Sequence, residues 1–192
     1  MVAKVTGRFD VVVLRAPGVA AFTWRDLQSM PDDGYRRELV DGQLLVTPSP
    51  VGRHQNAVAN LHVQLATACP PQYKVFVAPY DWKASEETVL VPDLVIFHAQ
   101  DYDPDGPLTA TPVLVVEVGS PSTARIDRTL KRDVYERAGV PAYWLVDPVA
   151  PRVTVLELRD GTYEEVATVG GEERHQVTFP FAAWLVPARL AD

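Results

Sequence analysis

The segment from residue 113 to 118 reads VLVVEV, and it restricts the possible folds more than any other part of the chain. Five of its six residues are branched aliphatics, and the sixth is Glu117. A run this apolar is typical of a β-strand buried on both faces, with further layers on either side of its sheet. An ionised carboxylate is costly there unless it has a partner. Glu117 therefore marks a functional site, a hydrogen-bonded strand end or an edge where the sheet opens to solvent.

The periodicity of the surrounding sequence predicts the elements that accompany this strand. Residues 54–69 and 124–138 carry apolar side chains at helical spacing. Three strand candidates lie between these helices, in YKVFVAPYDW, VPDLVIF and PVLVVEV, and a further buried strand, AYWLVDP, follows the second helix. Asp-Gly pairs at 41–42 and 160–161 predict an N-terminal and a C-terminal β-hairpin around this unit. The order helix, three strands, helix, strand predicts an α/β fold around a mixed sheet.

Length and composition bound the class of protein. The chain has 192 residues, 47 % of them hydrophobic, which predicts a single domain over 1–192 with residues 1–22 as a weakly patterned N-terminal extension. Cys69 is the only cysteine, which excludes an internal disulfide and favours a reducing compartment. The sequence has no apolar run of bilayer-spanning length and no secretory signal pattern, so we expect a cytoplasmic protein.

The charge of the chain is unevenly distributed. A formal net charge of −7 counts against a protein that coats nucleic acid non-specifically, because such binding needs a basic surface. It does not exclude an enzyme that grips one phosphate through a metal ion. Residues 125–137, RIDRTLKRDVYER, carry five positive and three negative side chains, so a locally basic helix follows the strand that contains Glu117. The spacing predicts that its inner face consists of Ile126, Leu130, Val134 and Ala138.

A second acid, Asp93, lies at the start of another apolar strand, directly after Pro92. Alternate residues of a strand share a face, so Asp93 and Glu117 converge if their strands are neighbours in a suitable register. Two buried carboxylates repel each other unless a proton or a cation separates them. Magnesium binds one or two carboxylates, several waters and substrate phosphate oxygens. The two acids therefore predict a site for magnesium or manganese, although Asp93 could also be a simple strand-entry residue.

A phosphoryl-transfer site of this kind also needs a cation that orients the attacking water or stabilises the transition-state charge. Lys131 is the candidate, at the edge of the inner face of the second helix next to the apolar Leu130. The alternative is a solvated lysine that pairs with Asp127 one turn away, worth ~0.3–0.5 kcal/mol.

These residues carry a family resemblance. The segments RELVDGQLLVTPSP, VPDLVIF, VVEVGSPST and DRTLKRDVYERAGVPAYWLVDP resemble the Uma-type family of restriction endonucleases, a branch of the PD-(D/E)XK nuclease superfamily, over roughly residues 20–190. The resemblance implies a restriction-endonuclease-like core, a divalent-metal-dependent nuclease, and catalytic roles for Asp93 and Glu117. This chain departs from the superfamily motif at one position. The motif has a lysine two residues after the second acid, where this chain has Gly119, and Lys131 matches a lysine that lies on the following helix instead.

Three further side chains are weaker candidates for supporting roles. His54 aligns with the apolar face of the first helix, so it is either a structural histidine or a site residue. Glu38, in the first hairpin, is either another site acid or a cross-strand partner of Arg36. Tyr135 fits packing better than chemistry. The other histidines and Cys69 lack the spacing of a zinc site.

Two functions agree with this pattern. The first is a magnesium- or manganese-dependent endonuclease that hydrolyses phosphodiester bonds of nucleic acid, with DNA expected rather than RNA and with no membrane partner. If DNA is the substrate, a homodimer is the simplest way to cut both strands. The second is a catalytically inactive interaction or regulatory module that keeps the nuclease fold. The net charge and the absence of the adjacent lysine favour the second, and the apolar segment PFAAWLV would then supply a dimer contact.

Overall fold

The computed structural model of the protein describes residues 12–14, 21–120 and 123–191. Most of the predicted extension, 1–22, lies outside these residues. The strands are β1 Val12–Leu14, β2 Arg36–Val40, β3 Gln43–Thr47, β4 Tyr73–Val77, β5 Trp82–Lys83, β6 Val89–Leu90, β7 Leu94–His98, β8 Leu114–Val118, β9 Ala142–Asp147, β10 Arg152–Arg159, β11 Thr162–Gly170, β12 His175–Val177 and β13 Ala183–Leu185. The helices are α1 Trp24–Gln28, α2 Gly52–Ala68, α3 in three consecutive segments (Ala124–Ile126, Asp127–Lys131 and Arg132–Arg137) and α4 Ala188–Ala191, and a 3₁₀ turn covers Ala99–Asp101.

A six-stranded sheet in the order β11-β10-β9-β8-β7-β4 forms the centre of the fold. Strands β8 and β9 are parallel, and α3 makes the crossover between them, whereas the other neighbours are antiparallel. The predicted α/β fold with a mixed sheet is therefore confirmed. Both Asp-Gly turns close hairpins, with positive φ at Asp41, Gly42, Asp160 and Gly161 as a type I′ turn requires.

The central sheet is covered on both faces, as the apolar pattern of β8 predicts. On one face, Leu61 and Leu65 of α2 pack with Leu114 of β8. On the other face, Val115 packs with Tyr135 of α3 and with the second sheet. The register pairs Leu94 with Val116, and one further antiparallel step places Asp93 opposite Glu117. Because Glu117 alternates with Val115, both acids belong to the side of the sheet that faces α3.

The second sheet is ordered β1-β3-β2-β6-β5 and contains the predicted N-terminal hairpin, β2 and β3, whereas its other three strands were not anticipated from the sequence. The segment YKVFVAPYDW reads as one strand, but β4 ends at Val77 and Trp82 belongs to β5 in the second sheet. Pro79 has no N–H for a sheet ladder, which explains why the strand stops. The additional sheet matters for function because it places β2, with Glu38, over the acids of the central sheet.

The predicted inner face of α3 packs against the core, with Val134 buried and Ile126, Leu130 and Ala138 partly buried. The buried side of the helix is wider than predicted, because Asp127, Lys131 and Tyr135 are buried as well. The middle segment, Asp127–Lys131, is a π-helical turn, which is common near functional sites. Asp127 and Lys131 of this turn are both buried. A regular helical spacing that starts at Ile126 does not predict their burial.

The segment PFAAWLV does not form an apolar surface. Phe181, Ala183 and Leu185 are buried within the protein, and Trp184 alternates with them and is exposed. Of the large side chains in this segment, Phe181 and Leu185 are therefore not available for a dimer contact, and only Trp184 is exposed. Among the described residues, no helix is long and apolar enough to cross a membrane.

Candidate active site

Asp93 stands directly before β7, where three groups contact its carboxylate. Arg36 Nη1 donates to Oδ1 at 2.7 Å, and the backbone N–H of Val118 donates to Oδ2 at 2.8 Å. His54 Nε2 lies 3.0 Å from the same Oδ2. Burial by itself raises the pKa of Asp93, but the hydrogen bond from His54 and the charge of Arg36 outweigh it and hold that pKa well below its usual range. Asp93 is a buried carboxylate that stays ionised.

Glu117 has the opposite electrostatic environment. Its Oε1 accepts hydrogen bonds from Lys131 Nζ at 3.0 Å and from the Tyr135 hydroxyl at 2.8 Å. Burial raises the pKa of Glu117 against the opposing charge of Lys131, and together with the negative charges of Asp93 and Asp127 it brings that pKa to about 8. The pKa values of the two carboxylates at the centre of the site are therefore shifted in opposite directions, that of Asp93 downward and that of Glu117 upward.

Lys131 lies between three acids. Its Nζ is 2.8 Å from Glu38 Oε1, 3.0 Å from Glu117 Oε1 and 4.0 Å from Asp127 Oδ1. Burial lowers the pKa of Lys131, but Glu117 and Glu38 outweigh this and raise it above its ordinary value, so the ammonium stays charged. The alternative of a solvated lysine is wrong, because Lys131 is 2 % exposed, although the expected contact with Asp127 is present.

Glu38 and Arg36 extend from β2 into the same cluster. Glu38 is buried and accepts a hydrogen bond from the backbone N–H of Val91 at 2.8 Å besides its contact with Lys131. Arg36 Nε lies 4.0 Å from Glu38 Oε2, so the expected pairing of Glu38 with Arg36 is also present. Both residues lie on β2, so the pair is not a cross-strand pair. The Arg36 side chain is 21 % exposed, against 7 % or less for His54, Asp93 and Lys131. Arg36 is therefore the most exposed of these side chains.

Asp127 is a fourth buried carboxylate, and neither of its oxygens has a hydrogen-bond partner among the described residues. Burial raises its pKa to about 6, against the charge of Lys131. The Tyr143 hydroxyl donates to the Asp127 carbonyl at 2.9 Å, which gives a partner to a backbone oxygen of the π-helical turn. The turn thus holds Asp127 and Lys131 together on the buried side.

The structure brings all six sequence-predicted residues into one cluster: Glu38, His54, Asp93, Glu117, Lys131 and Tyr135. Sequence reasoning missed Arg36 as a partner of Asp93, and Asp127 as a buried acid. Both had a signal in the sequence. Arg36 lies two residues before Glu38 and so shares its strand face, and Asp127 lies one turn before Lys131.

Gly119 explains why the lysine does not stand two residues after Glu117. A Cβ at this position would come within 3.3 Å of the Val146 carbonyl oxygen, which is closer than most such contacts. The Gly119 N–H also donates to that oxygen at 2.7 Å, which keeps the backbone close. The ammonium reaches Glu117 from α3 instead.

The raised pKa of Glu117 predicts a specific pH dependence of stability. Between the ordinary value of 4.5 and about 8, the folded protein holds a proton that the unfolded chain releases, so the free energy of unfolding falls as pH rises through this window. Glu117→Gln removes this contribution, and we expect a shallower slope, by up to ~1.4 kcal/mol per pH unit. Urea unfolding at pH 5, 6, 7 and 8 measures it. The exposed Glu87→Gln is the control, and equal slopes for all three proteins would contradict the assignment.

The residues of the cluster fit a hard divalent cation in donor chemistry and charge. The buried carboxylates are Glu38, Asp93, Glu117 and Asp127, whereas Arg36 and Lys131 supply two permanent positive charges. Within the described residues, neither carboxylate oxygen of Asp127 accepts a hydrogen bond, and Lys131 lies 4.0 Å from Oδ1. Within the described part of the chain, no three His, Cys, Asp or Glu side chains form a ready cage for a metal ion. Magnesium does not need one, since one or two carboxylates plus water and phosphate oxygens complete its shell.

Comparison with known proteins places the chain in a family. Residues 24–188 match Uma2, the family described as "Putative restriction endonuclease". The fold is similar to that of a "putative nuclease belonging to DUF820" from Anabaena variabilis, with a TM-score of 0.70, 17 % sequence identity, and coverage of 88 % of this chain and 97 % of that one. No curated protein matches the chain. Since the family match spans most of the sequence and includes every residue of the cluster, the chain belongs to the Uma2 family of restriction-endonuclease-like proteins.

Proposed function

We propose that the protein is a divalent-metal-dependent endonuclease that hydrolyses phosphodiester bonds of DNA. The observation that carries the proposal is the contact between Lys131 and Glu117, 3.0 Å apart and buried, on the same side of the sheet as the ionised Asp93. Two acids and a lysine can supply the metal ligands and the cation that stabilises developing charge in phosphodiester hydrolysis. Family membership supports the nuclease class, whereas the metal and the DNA substrate are our inference.

Asp93 and Glu117 would hold magnesium or manganese. When bound there, such an ion polarises a phosphoryl oxygen and lowers the pKa of water. Asp93 is suited to this role because Arg36 and His54 keep its carboxylate ionised. Glu117 binds a cation best when its proton has left, so binding strengthens as pH rises toward the Glu117 pKa of about 8.

Lys131 acts as a cation in this proposal. Because Glu117 and Glu38 raise its pKa, it stays protonated at neutral pH and cannot be the general base. Its ammonium can donate to the attacking water and stabilise the negative charge that develops on the phosphoryl oxygens. Glu38 and Tyr135 act as positioning residues. Glu38 contacts the Lys131 ammonium, and the Tyr135 hydroxyl donates a hydrogen bond to Glu117.

The test is manganese titration by calorimetry, with and without an oligonucleotide, on the wild type and on Asp93→Asn/Glu117→Gln. These replacements keep the side-chain size and remove both charges. We expect binding and cleavage of a labelled DNA duplex by the wild type, and neither by the double variant. A wild type that binds no manganese in the millimolar range, even with DNA present, would favour the inactive interaction module.

A two-fold dimer, the simplest arrangement for cutting both strands, is checked by sedimentation of the same samples.

A further inference from the structure

A cavity opens beside the catalytic cluster, and the residues that line it are suited to binding an anion. Its volume is about 360 Å³, and its lining includes Arg36, Arg53 and His54 together with four hydroxyl side chains. No acid is among the described residues that line it. The neighbouring cavity of about 700 Å³ differs, because its lining includes Asp32, Asp81 and Asp93. In a chain of net charge −7, an acid-free cavity with two arginines is a selective place for negative charge.

The N-terminus of α2 contributes to this cavity. The 17-residue helix begins at Gly52 without a side-chain cap and without an acid in its first turn. The N–H groups of a first helical turn have no partners within the helix and favour an anion. Val51, Arg53 and His54 from this turn all line the cavity.

His54 gives an independent indication that the cavity takes a ligand. The side chain is buried, with 5 % of the residue exposed, and its Nε2 contacts Asp93. Its Nδ1 is buried and has no hydrogen-bond partner among the described groups. Arg53 is exposed and likewise forms no ion pair within the described part of the chain. A polar ligand in the cavity could satisfy both side chains.

We infer that this cavity is a second phosphate subsite, which binds the phosphodiester next to the one that is cut, with its nucleoside. The inference rests on the proposed nuclease function. Arg36 lines the cavity while its Nη1 contacts Asp93 at 2.7 Å, so an occupant lies beside the position of cleavage. Val51 and Val149, 55 % and 63 % exposed, flank the cavity and offer apolar surface to a base or sugar. The volume lies near the lower end of the ~300–1,000 Å³ range of small-ligand pockets, which suits one nucleotide.

Arg53→Gln tests the subsite, because Arg53 is exposed and lies outside the catalytic cluster. We measure the affinity for a fluorescein-labelled single-stranded DNA 12-mer by anisotropy, without metal, from 50 to 300 mM NaCl. Loss of one phosphate contact should reduce the slope of log K against log salt by ~0.7 and weaken binding about fivefold at 0.1 M. In the cleavage assay, KM should rise while kcat stays unchanged. The control is Arg25→Gln, which removes the same charge from α1, outside the lining of this cavity.

A second probe, thymidine 5′-monophosphate followed by NMR titration, separates this inference from the nuclease proposal. Weaker binding by Arg53→Gln than by Arg25→Gln supports the subsite, even if the wild type cleaves no DNA and the nuclease proposal fails. Cleavage by the wild type, with equal affinities for the two variants, overturns the subsite and leaves the nuclease proposal standing. Absence of binding to both probes by the wild type overturns the subsite.

Discussion

Lys131→Met is expected to lower the free energy of unfolding by about 3–5 kcal/mol at pH 8.5, the usual cost of removing one partner from a buried ion pair. The reason is that Lys131 lies within 3.0 Å of both Glu38 and Glu117 and 4.0 Å from Asp127. Methionine has a similar length and no charge, so it leaves these carboxylates facing one another in a buried place. Burial and the repulsion between neighbouring carboxylates both disfavour their ionised forms.

The loss should shrink as pH falls, because the acids can then take up protons. Glu117 and Asp127 are the groups that do so, because their pKa values are already raised to about 8 and about 6 in the wild type and rise further once the charge of Lys131 is removed. Urea unfolding at pH 5.5, 7 and 8.5 measures the effect. Lys83→Met is the control, because Lys83 pairs with the exposed Glu86 and should cost no more than ~1 kcal/mol. A loss that is independent of pH, or equal to that of the control, would count against the charge cluster.

A double-mutant cycle shows which acid depends on Lys131 most. In Lys131→Met/Glu117→Gln, the acid that shares the ammonium is neutral, so the double variant should be more stable at pH 8.5 than Lys131→Met alone. Glu38→Gln in the same background tests the other close contact. If neither replacement recovers stability, the cost of Lys131→Met comes from packing rather than from unpaired charge.

Much of this cluster was accessible from the sequence because its members interrupt apolar patterns. Asp93 and Glu117 stand out within strands whose other residues are aliphatic, and the period of two places them on one face. Lys131 was harder to place. The family resemblance indicates it, but only the structure shows that the π-helical turn carries it to within 3.0 Å of Glu117.

The parts that sequence reasoning missed depend on long-range packing. Arg36 and Asp93 are 57 residues apart, and no local pattern predicts a contact between them. That contact exists because the second sheet places β2 over the acids, and two strands of that sheet, β5 and β6, have only two residues each. Strands that short have too few residues for a period of two to be recognised. The acid-free cavity has the same origin, since its lining comes from β2, the loop before α2 and the ends of β8 and β9.

Asp93→Asn is expected to reduce DNA cleavage by about 10³-fold, the upper end of the effect of removing one preorganised electrostatic group from an active site. Asparagine keeps the shape and can still accept the hydrogen bond from the Val118 N–H, but it loses the charge that faces Arg36 and His54. Manganese affinity should fall by at least tenfold, because one of the two proposed carboxylate ligands is gone. Asp133→Asn removes an exposed acid from α3, and it should leave cleavage and manganese affinity unchanged.

The pH dependence of stability in the same variant provides a readout that needs neither metal nor DNA. Because the pKa of Asp93 is depressed in the folded protein, its stabilising contribution is present above the unfolded value near 3.8 and is lost as pH falls through the lower folded value. Asp93→Asn should therefore destabilise the protein at pH 7 and lose less stability than the wild type on further acidification. Normal stability at pH 7 with lost cleavage would mean that Arg36 and His54 stabilise Asp93 no better than water does. A destabilised variant that still cleaves DNA at the wild-type rate would remove Asp93 from the catalytic set.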